Sequence, residues 1–179
     1  MKYFVFDLEA TCWPENKGKS QEIIEIGACI IDPYGRLMKT FSSFIKPVLN
    51  PTLSSYCKGL TKITQAEVDA AKSFPQVIHK LLDWAEIPDE EYAFCAWGAA
   101  DLKLIQNDSV LHKIDFNWIE PYVDIKSQYH RNKEIVNLSG LYKVIKQNGF
   151  EFEGTKHRAL SDAVNLARIV AKYIDEWVY

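Results

Sequence analysis

Hydrophobic residues form strand-like runs in the first third of the chain. Residues 2–8 are almost all apolar and include β-branched and aromatic side chains, which predicts a central strand buried on both faces of a sheet. Residues 22–31 and 37–46 predict two more strands, and the turn sequence at 32–35 predicts that they form an antiparallel hairpin. The segment 46–74 carries prolines and short helical patterns, so we expect an ordered excursion over one face.

Helical periodicity dominates the rest of the chain. Serine, phenylalanine and proline at 73–75 predict the start of a helix that runs to about Ala85. The other predicted elements are strands at 92–97 and 122–124 and helices at about 100–107, 125–131, 139–148 and 159–175. A hairpin followed by alternating helices and strands favours an α/β fold with a mixed five-stranded sheet and helices on both faces. Because no linker divides the chain, we expect a single domain over residues 1–179.

Two carboxylates end the first predicted strand. Asp7 and Glu9 are two residues apart, so in a strand they project from the same face. Acidic residues at the end of a strand are often leaving the core for solvent. In a central strand, however, unpaired carboxylates are costly to desolvate, which favours a bound cation.

Three further residues could join them. His157 lies in the loop before the last predicted helix, Asp162 lies in the first turn of that helix, and Asp101 lies near the start of an earlier one. Taken singly, an aspartate at a helix start merely complements the helix dipole, and a loop histidine is unremarkable. Taken together, a histidine beside a fixed carboxylate suits a general base, and oxygen ligands without a Cys/His cluster favour Mg²⁺ or Mn²⁺ over zinc.

Charge is unevenly distributed along the chain. The formal net charge of −3 argues against a protein that holds nucleic acid by bulk charge alone. Between residues 126 and 158, however, seven basic residues stand against three acidic ones. This segment either forms a basic rim around an acidic pocket or is an ordinary solvated surface. Two divalent ions would neutralise four carboxylates and allow a phosphodiester to enter such a pocket.

Export and membrane insertion are not expected. The sequence lacks an apolar run of about 18 residues that could span a bilayer, and acidic residues interrupt the N-terminal apolar stretch where a signal peptide would be uninterrupted. The four cysteines are widely spaced, which fits reduced and mostly buried thiols in a cytoplasmic protein.

The combined motif of these residues resembles that of a known enzyme superfamily. Asp7-x-Glu9, a central Asp101 and a histidine five residues before Asp162 are similar to the DEDD 3′→5′ exonucleases of the DnaQ-like superfamily, in their histidine (DEDDh) subtype. Five longer stretches resemble the ERI-1-like branch, which includes KapD-like proteins: FDLEATCW, QEIIEIGACIID, NPTLSSYCKGLTKITQAEV, SFPQVIHKLLDW and GTKHRALSDAVNLARI. The resemblance covers essentially the whole chain and implies a ribonuclease H-like fold.

The resemblance also implies an activity and a set of roles. It implies hydrolysis of terminal phosphodiester bonds at nucleic-acid 3′ ends, with RNA favoured over DNA, and release of nucleoside 5′-monophosphates. Two Mg²⁺ ions, for which Mn²⁺ would substitute, would be held by Asp7, Glu9, Asp101 and Asp162. Glu9 and His157 would be catalytic, with His157 as the general base.

Substrate contacts are predicted around the same motif. The resemblance implies that Glu9, Ala10 and His157 line the nucleotide site, and Thr11 is a candidate contact to the terminal ribose. Leu60 and three aromatic residues could pack against bases, although a place in the core fits each of them better: Trp13, Tyr56 and Trp97.

Two positions depart from the family pattern. Lys62 stands where glycine is usual, which changes a turn or supplies a phosphate contact. Ala100 stands where animal members often have an aromatic residue, so a stacking wall of theirs is missing here.

Three alternatives remain open at this point. The chain could be a non-catalytic nucleic-acid-binding or regulatory module on the same fold, a DNA-directed exonuclease, or a phosphodiesterase that acts on nucleotides. All five catalytic positions carry suitable residue types, which favours the enzyme.

Overall fold

The computed structural model describes residues 1–15 and 18–179. Within these residues, one mixed sheet has five strands in the order β3-β2-β1-β4-β5. The strands are β1 (Lys2–Ala10), β2 (Ile23–Ile31), β3 (Leu37–Phe44), β4 (Tyr92–Ala96) and β5 (Tyr122–Asp124). β2 pairs antiparallel with β1 and β3, whereas β4 pairs parallel with β1 and β5. The predicted hairpin and mixed sheet are therefore confirmed.

Helices cover both faces of this sheet. They are α1 (Ser55–Thr61), α2 (Gln65–Asp69), α3 (Phe74–Ala85), α4 (Ala100–His112), α5 (Ile125–Asn132), α6 (Leu141–Gln147) and α7 (Ala159–Lys172). Short 3₁₀ helices lie at Asn117–Ile119 and Ile174–Glu176. No helix in the described part of the chain combines the length and apolar character that crossing a membrane requires.

Alternating residues of β1 face the two hydrophobic cores. Phe4 and Phe6 pack in the core that also contains residues of α3 and α4. Tyr3 and Val5 face the opposite core, which is built with residues of α5, α6 and α7. Because strand side chains alternate, Asp7 continues the Tyr3 and Val5 side and points toward α7. The alternation of side chains in β1 thus places the Asp7 carboxylate on the side of the sheet covered by α7, the helix that contains Asp162.

A glycine brings α7 close to the sheet. Gly27 lies opposite Asp7 in the pairing of β1 with β2. A Cβ atom at position 27 would lie 2.0 Å from the backbone nitrogen of Leu160 and 2.2 Å from the carbonyl carbon of Ala159. The first turn of α7 therefore rests directly on β2 next to Asp7, and this approach requires glycine.

Some predicted helix boundaries are wrong. α4 extends five residues beyond the predicted end at 107, to a left-handed cap at Lys113, because its last turns lack the apolar stripe that marks a helix in sequence. α6 is shorter than predicted, and α7 stops at Lys172 because a 3₁₀ turn follows instead of continued helix.

Candidate active site

A cavity of about 330 Å³ lies between the end of β1 and the start of α7. It contains four of the five residues predicted to be catalytic or metal-binding: Asp7, Glu9, His157 and Asp162. The rest of its lining comes from Leu8, from Trp97 after β4, and from a wall of Gly140, Leu141, Tyr142, Phe152 and Lys156. The fold thus brings together residues from opposite ends of the sequence.

Three of these residues have the geometry of a cation site. One ligand atom from each of Glu9, His157 and Asp162 can be chosen so that all three atoms lie within 4.8 Å of one another. Two are carboxylate oxygens and one is an imidazole nitrogen, with the Asp7 carboxylate in the same cavity. Such a donor set fits a divalent metal ion.

The electrostatics of the carboxylates also fit a cation. Burial, followed by the charges of Asp101, Asp162 and Glu9, raises the pKa of Asp7 well above its ordinary value. Burial and then the Asp162 charge raise the pKa of Glu9 to about 8, and burial raises the pKa of Asp162 to about 6. The carboxylates therefore repel one another in a poorly solvated space, and a bound cation would relieve that repulsion.

Asp101 lies beside this cavity rather than in its lining. It sits in the first turn of α4 and is 8% exposed. Burial raises the pKa of Asp101 to about 7, although a hydrogen bond with the backbone of Leu8 opposes the shift. Its charge contributes to the raised pKa of Asp7, so it lies close to the strand carboxylates. The Asp101 carboxylate therefore adds negative charge to the cation site at Asp7, although Asp101 is not part of the described cavity lining.

His157 is presented on an exposed loop. Its backbone adopts a left-handed conformation with φ of 57°. The backbone N–H of His157 donates to Oδ2 of Asp162 at 3.0 Å, and the N–H of Asp162 donates to the carbonyl oxygen of Arg158 at 3.0 Å. Asp162 therefore fixes the loop from which the imidazole projects.

An ion pair between the half-buried Arg158 and the buried Glu25 anchors the same loop to β2. The Nη2 group of Arg158 donates to Oε1 of Glu25 at 2.8 Å, and its Nε group donates to Oε2 at 3.1 Å. The N–H of Ala159 donates to Glu25 Oε2 at 3.1 Å. Glu25 is 1% exposed and pairs directly with Glu9 across the strands. No local sequence pattern indicates this pairing, because the two partners lie 133 residues apart in the chain.

Three of the predicted nucleotide contacts lie outside the cavity lining, whereas Glu9 and His157 line it. Ala10 and Thr11 are buried at the end of β1, and the Thr11 hydroxyl accepts a hydrogen bond from the N–H of Glu22 at 3.0 Å. Leu60 is half-buried in α1. Trp97 does line the cavity. The roles proposed for Ala10, Thr11 and Leu60 stay predictions.

The two departures from the family pattern have clear positions. Lys62 caps α1 in the left-handed conformation that favours glycine, with φ of 62°, and its Nζ donates to the Gly59 carbonyl oxygen at 2.7 Å. Ala100 is exposed and lines a second cavity, of about 620 Å³, along α4.

Comparison with known proteins places this geometry in a family. The sequence profile of the RNase_T family, described as an exonuclease family, matches residues 4–170. The 3'-5' exoribonuclease 1 of Rattus norvegicus is 28% identical over 96% of this chain and 52% of its own length. The probable 3'-5' exonuclease KapD of Bacillus subtilis (strain 168) is 31% identical over 92% of this chain and 80% of its own length. The chain spans about half the length of the mammalian relatives that it matches.

Solved structures agree with the sequence comparison. The nuclease domain of 3'hExo, described as a DEDDh family member bound to rAMP, has a TM-score of 0.90 and 28% identity, covering 98% of this chain and 92% of that one. Cell-death related nuclease 4 shares the fold with a TM-score of 0.88 at 24% identity, covering 97% of this chain and 64% of that one. With the D-x-E pair, the histidine and the last aspartate in one cavity, the chain belongs to the RNase_T exonuclease family, in its DEDDh group with the ERI1-like and KapD-like exonucleases.

Proposed function

We propose that this chain is a metal-dependent 3′→5′ exonuclease that hydrolyses the terminal phosphodiester bond of a nucleic acid and releases nucleoside 5′-monophosphates. The observation that carries the proposal is the convergence of Asp7, Glu9, His157 and Asp162 on one cavity. In a member of an exonuclease family, this cavity is where the scissile phosphate would be bound.

The carboxylates supply the metal ligands in this proposal. Asp7, Glu9 and Asp162 would hold two Mg²⁺ ions, with Mn²⁺ as a substitute and Asp101 helping directly or through water. When bound, such ions supply Lewis acidity that stabilises negative charge on the phosphate oxygens. The raised pKa values of Glu9 and Asp162 support this assignment, because a bound cation would stabilise their ionised forms.

His157 is the general base in this proposal. Its imidazole accepts a proton from the attacking water, and its exposed position allows that proton to exchange with solvent. Asp162 holds the backbone of His157 through the 3.0 Å hydrogen bond and so limits where the imidazole can reach. Glu9 is the second catalytic residue in this proposal, and one of its carboxylate oxygens lies within 4.8 Å of an imidazole nitrogen of His157.

RNA 3′ ends are the proposed substrate, ahead of DNA. The support is that relatives carry the name exoribonuclease and that one structural neighbour is described as bound to rAMP. Glu9 and His157, with Ala10, Thr11 and Leu60, would hold the terminal nucleotide. We further propose that residues 1–179 act as one domain in cytoplasmic RNA processing, for which four free thiols are suitable.

The experiment that tests the function uses 5′-labelled single-stranded RNA. The purified protein is incubated with Mg²⁺, with Mn²⁺ and with EDTA, and the products are resolved by length. We expect a descending ladder that requires the metal and disappears in Asp7→Ala. RNA that stays intact with metal present would contradict the proposal and favour a non-catalytic binding module. Equal rates on a matched DNA strand would contradict the preference for RNA.

A further inference from the structure

One wall of the candidate active-site cavity is aromatic and basic, and the proposed mechanism does not use it. We call Tyr142, Phe152 and Lys156, which line the cavity, together with Lys146, which lies next to Tyr142, the Tyr142 wall. The Lys156 ammonium lies 2.9 Å from the centre of the Tyr142 ring, and the Lys146 ammonium lies 5.0 Å from it. The Phe152 ring packs against Tyr142 with a centroid distance of 5.7 Å.

The wall and the carboxylates have opposite charge across one small space. Tyr142, Phe152 and Lys156 line the same 330 Å³ cavity as Asp7 and Glu9. Hydrogen bonding from Lys146 and then Lys156 lowers the pKa of the Tyr142 hydroxyl, as expected in a positive environment. A phosphate that approaches the carboxylates is repelled by them, and the two ammonium groups offset that repulsion.

The position of the wall indicates which part of a substrate it meets. Of the proposed contacts to the terminal nucleotide, Ala10, Thr11 and Leu60 are absent from the described lining of this cavity, whereas Glu9 and His157 line it beside Asp7 and Asp162. The scissile phosphate must lie at the carboxylates, since these would hold the metal ions. A nucleic-acid strand that extends from the carboxylates along the cavity therefore passes the Tyr142 wall. The nucleotide that lies at this wall is the one that precedes the scissile bond.

We propose that the Tyr142 wall binds the nucleotide on the 5′ side of the scissile bond, with Lys156 contacting the phosphate backbone and Tyr142 packing against the base. This inference rests on the proposed exonuclease function. An ammonium group is a point charge that suits phosphate, and aromatic stacking accepts every base. The wall therefore adds affinity for polynucleotides without sequence preference.

Two substrates separate this role from general damage to the site. Single-stranded RNA has a nucleotide before the scissile bond, whereas the p-nitrophenyl ester of a nucleoside 5′-monophosphate has none. We expect Tyr142→Ala and Lys156→Ala each to raise KM for RNA by about tenfold. The ratio of kcat/KM for RNA to that for the ester should fall by a similar factor. Lys143→Ala is the matched control, because Lys143 is exposed on α6 and is not part of the described cavity lining.

Binding of fluorescently labelled RNA in EDTA tests the wall independently of catalysis. Both wall variants should bind RNA about tenfold more weakly than Lys143→Ala. Lys156→Ala should also reduce the slope of log affinity against log salt by about 0.7, and Lys156→Arg should restore that slope. Unchanged binding, or equal losses on RNA and on the ester, would overturn the inference. Wild-type protein that binds RNA but cleaves neither substrate would refute the proposed function instead, and the binding series would still decide the role of the wall.

Discussion

The two sides of the candidate site are held in different ways. On the strand side, Asp7 and Glu9 belong to β1, which pairs with β2 through both residues and with β4 at residues 2–5. On the helix side, His157 is exposed on a loop and Asp162 lies in the first turn of α7. The sheet fixes the strand side even though its carboxylates are poorly solvated and repel one another. The helix side is held by the packing of α7 on β1 and β2, and its loop by specific contacts with β2.

The largest effect is expected from removing a strand-side charge. Asp7→Asn should lower exonuclease activity by at least about 10⁴-fold and abolish tight Mn²⁺ binding, because the Asp7 carboxylate faces the cavity in which the ions would lie. Calorimetric titration with Mn²⁺ and the RNA ladder assay measure the two effects. Substantial activity in this variant would show that the strand side does not hold the metal.

The same variant should make the metal-free protein more stable. Burial raises the pKa values of Glu9 to about 8 and of Asp162 to about 6, from ordinary values of 4.5 and 3.8. Between about pH 4 and 8 the folded state therefore binds more protons than the unfolded state, so stability falls as pH rises. Asp7→Asn removes one of the repelling charges and should raise the free energy of unfolding at pH 8 by about 0.5–2 kcal/mol.

Thermal melts in EDTA and in Mg²⁺ across this pH range measure the effect. The wild-type Tm in EDTA should fall with pH more steeply than that of Asp7→Asn, and Mg²⁺ should reduce the difference. Identical slopes of Tm against pH for the two proteins in EDTA would contradict the repulsion among carboxylates that we assign to the strand side.

On the helix side, His157→Ala should lower kcat by about 10²–10⁴-fold, the usual contribution of a general base. Mn²⁺ binding should remain close to that of the wild type, since the proposed ligands are carboxylates. The geometry makes this a sharp test, because His157 also has a nitrogen within 4.8 Å of ligand atoms of Glu9 and Asp162. Loss of Mn²⁺ binding as large as in Asp7→Asn would make His157 a metal ligand.

Gly27→Ala should displace the helix side from the strand side. The added Cβ would meet the backbone of Ala159 and Leu160 at about 2.2 and 2.0 Å, so the start of α7 must move. We expect a loss of about 1–3 kcal/mol in the free energy of unfolding and of about 10²-fold in kcat. Gly59→Ala is the control, because a Cβ there would meet nothing within 4 Å. A normal kcat in Gly27→Ala would show that this approach does not set the site.

The strand side was easier to predict from sequence than the contacts that hold the helix side. The positions of Asp7 and Glu9 follow from the period of a strand, and that of Asp162 follows from the first turn of a helix. These local rules place each carboxylate on its own element, whereas the family resemblance implied that the three meet. The structure brings Asp7, Glu9 and Asp162 into one cavity. The Arg158–Glu25 pair and the packing of Lys156 on Tyr142 depend on tertiary contacts that no local pattern encodes.

The Arg158–Glu25 ion pair ties the two sides together. Arg158→Met leaves the Glu25 carboxylate buried without its cation, next to Glu9, and should lower the free energy of unfolding by about 1–3 kcal/mol. Adding Glu25→Gln should recover part of that loss, which chemical denaturation of both single variants and the double variant would measure. Strictly additive effects would show that the pair does not couple β2 to the loop.

The smallest effect is expected at Lys62. This residue lies on neither side of the site, so its variants serve as a comparison for the variants on the two sides. Its left-handed backbone is the conformation that glycine adopts without strain, so Lys62→Gly should raise the free energy of unfolding by about 0.5–1 kcal/mol. Lys62→Ala is the matched control, since it removes the same hydrogen bond to Gly59 but keeps the strained conformation, and its Tm should not rise. A higher KM for RNA in both variants would instead show that the Lys62 ammonium contacts phosphate, so that the substrate site extends to α1.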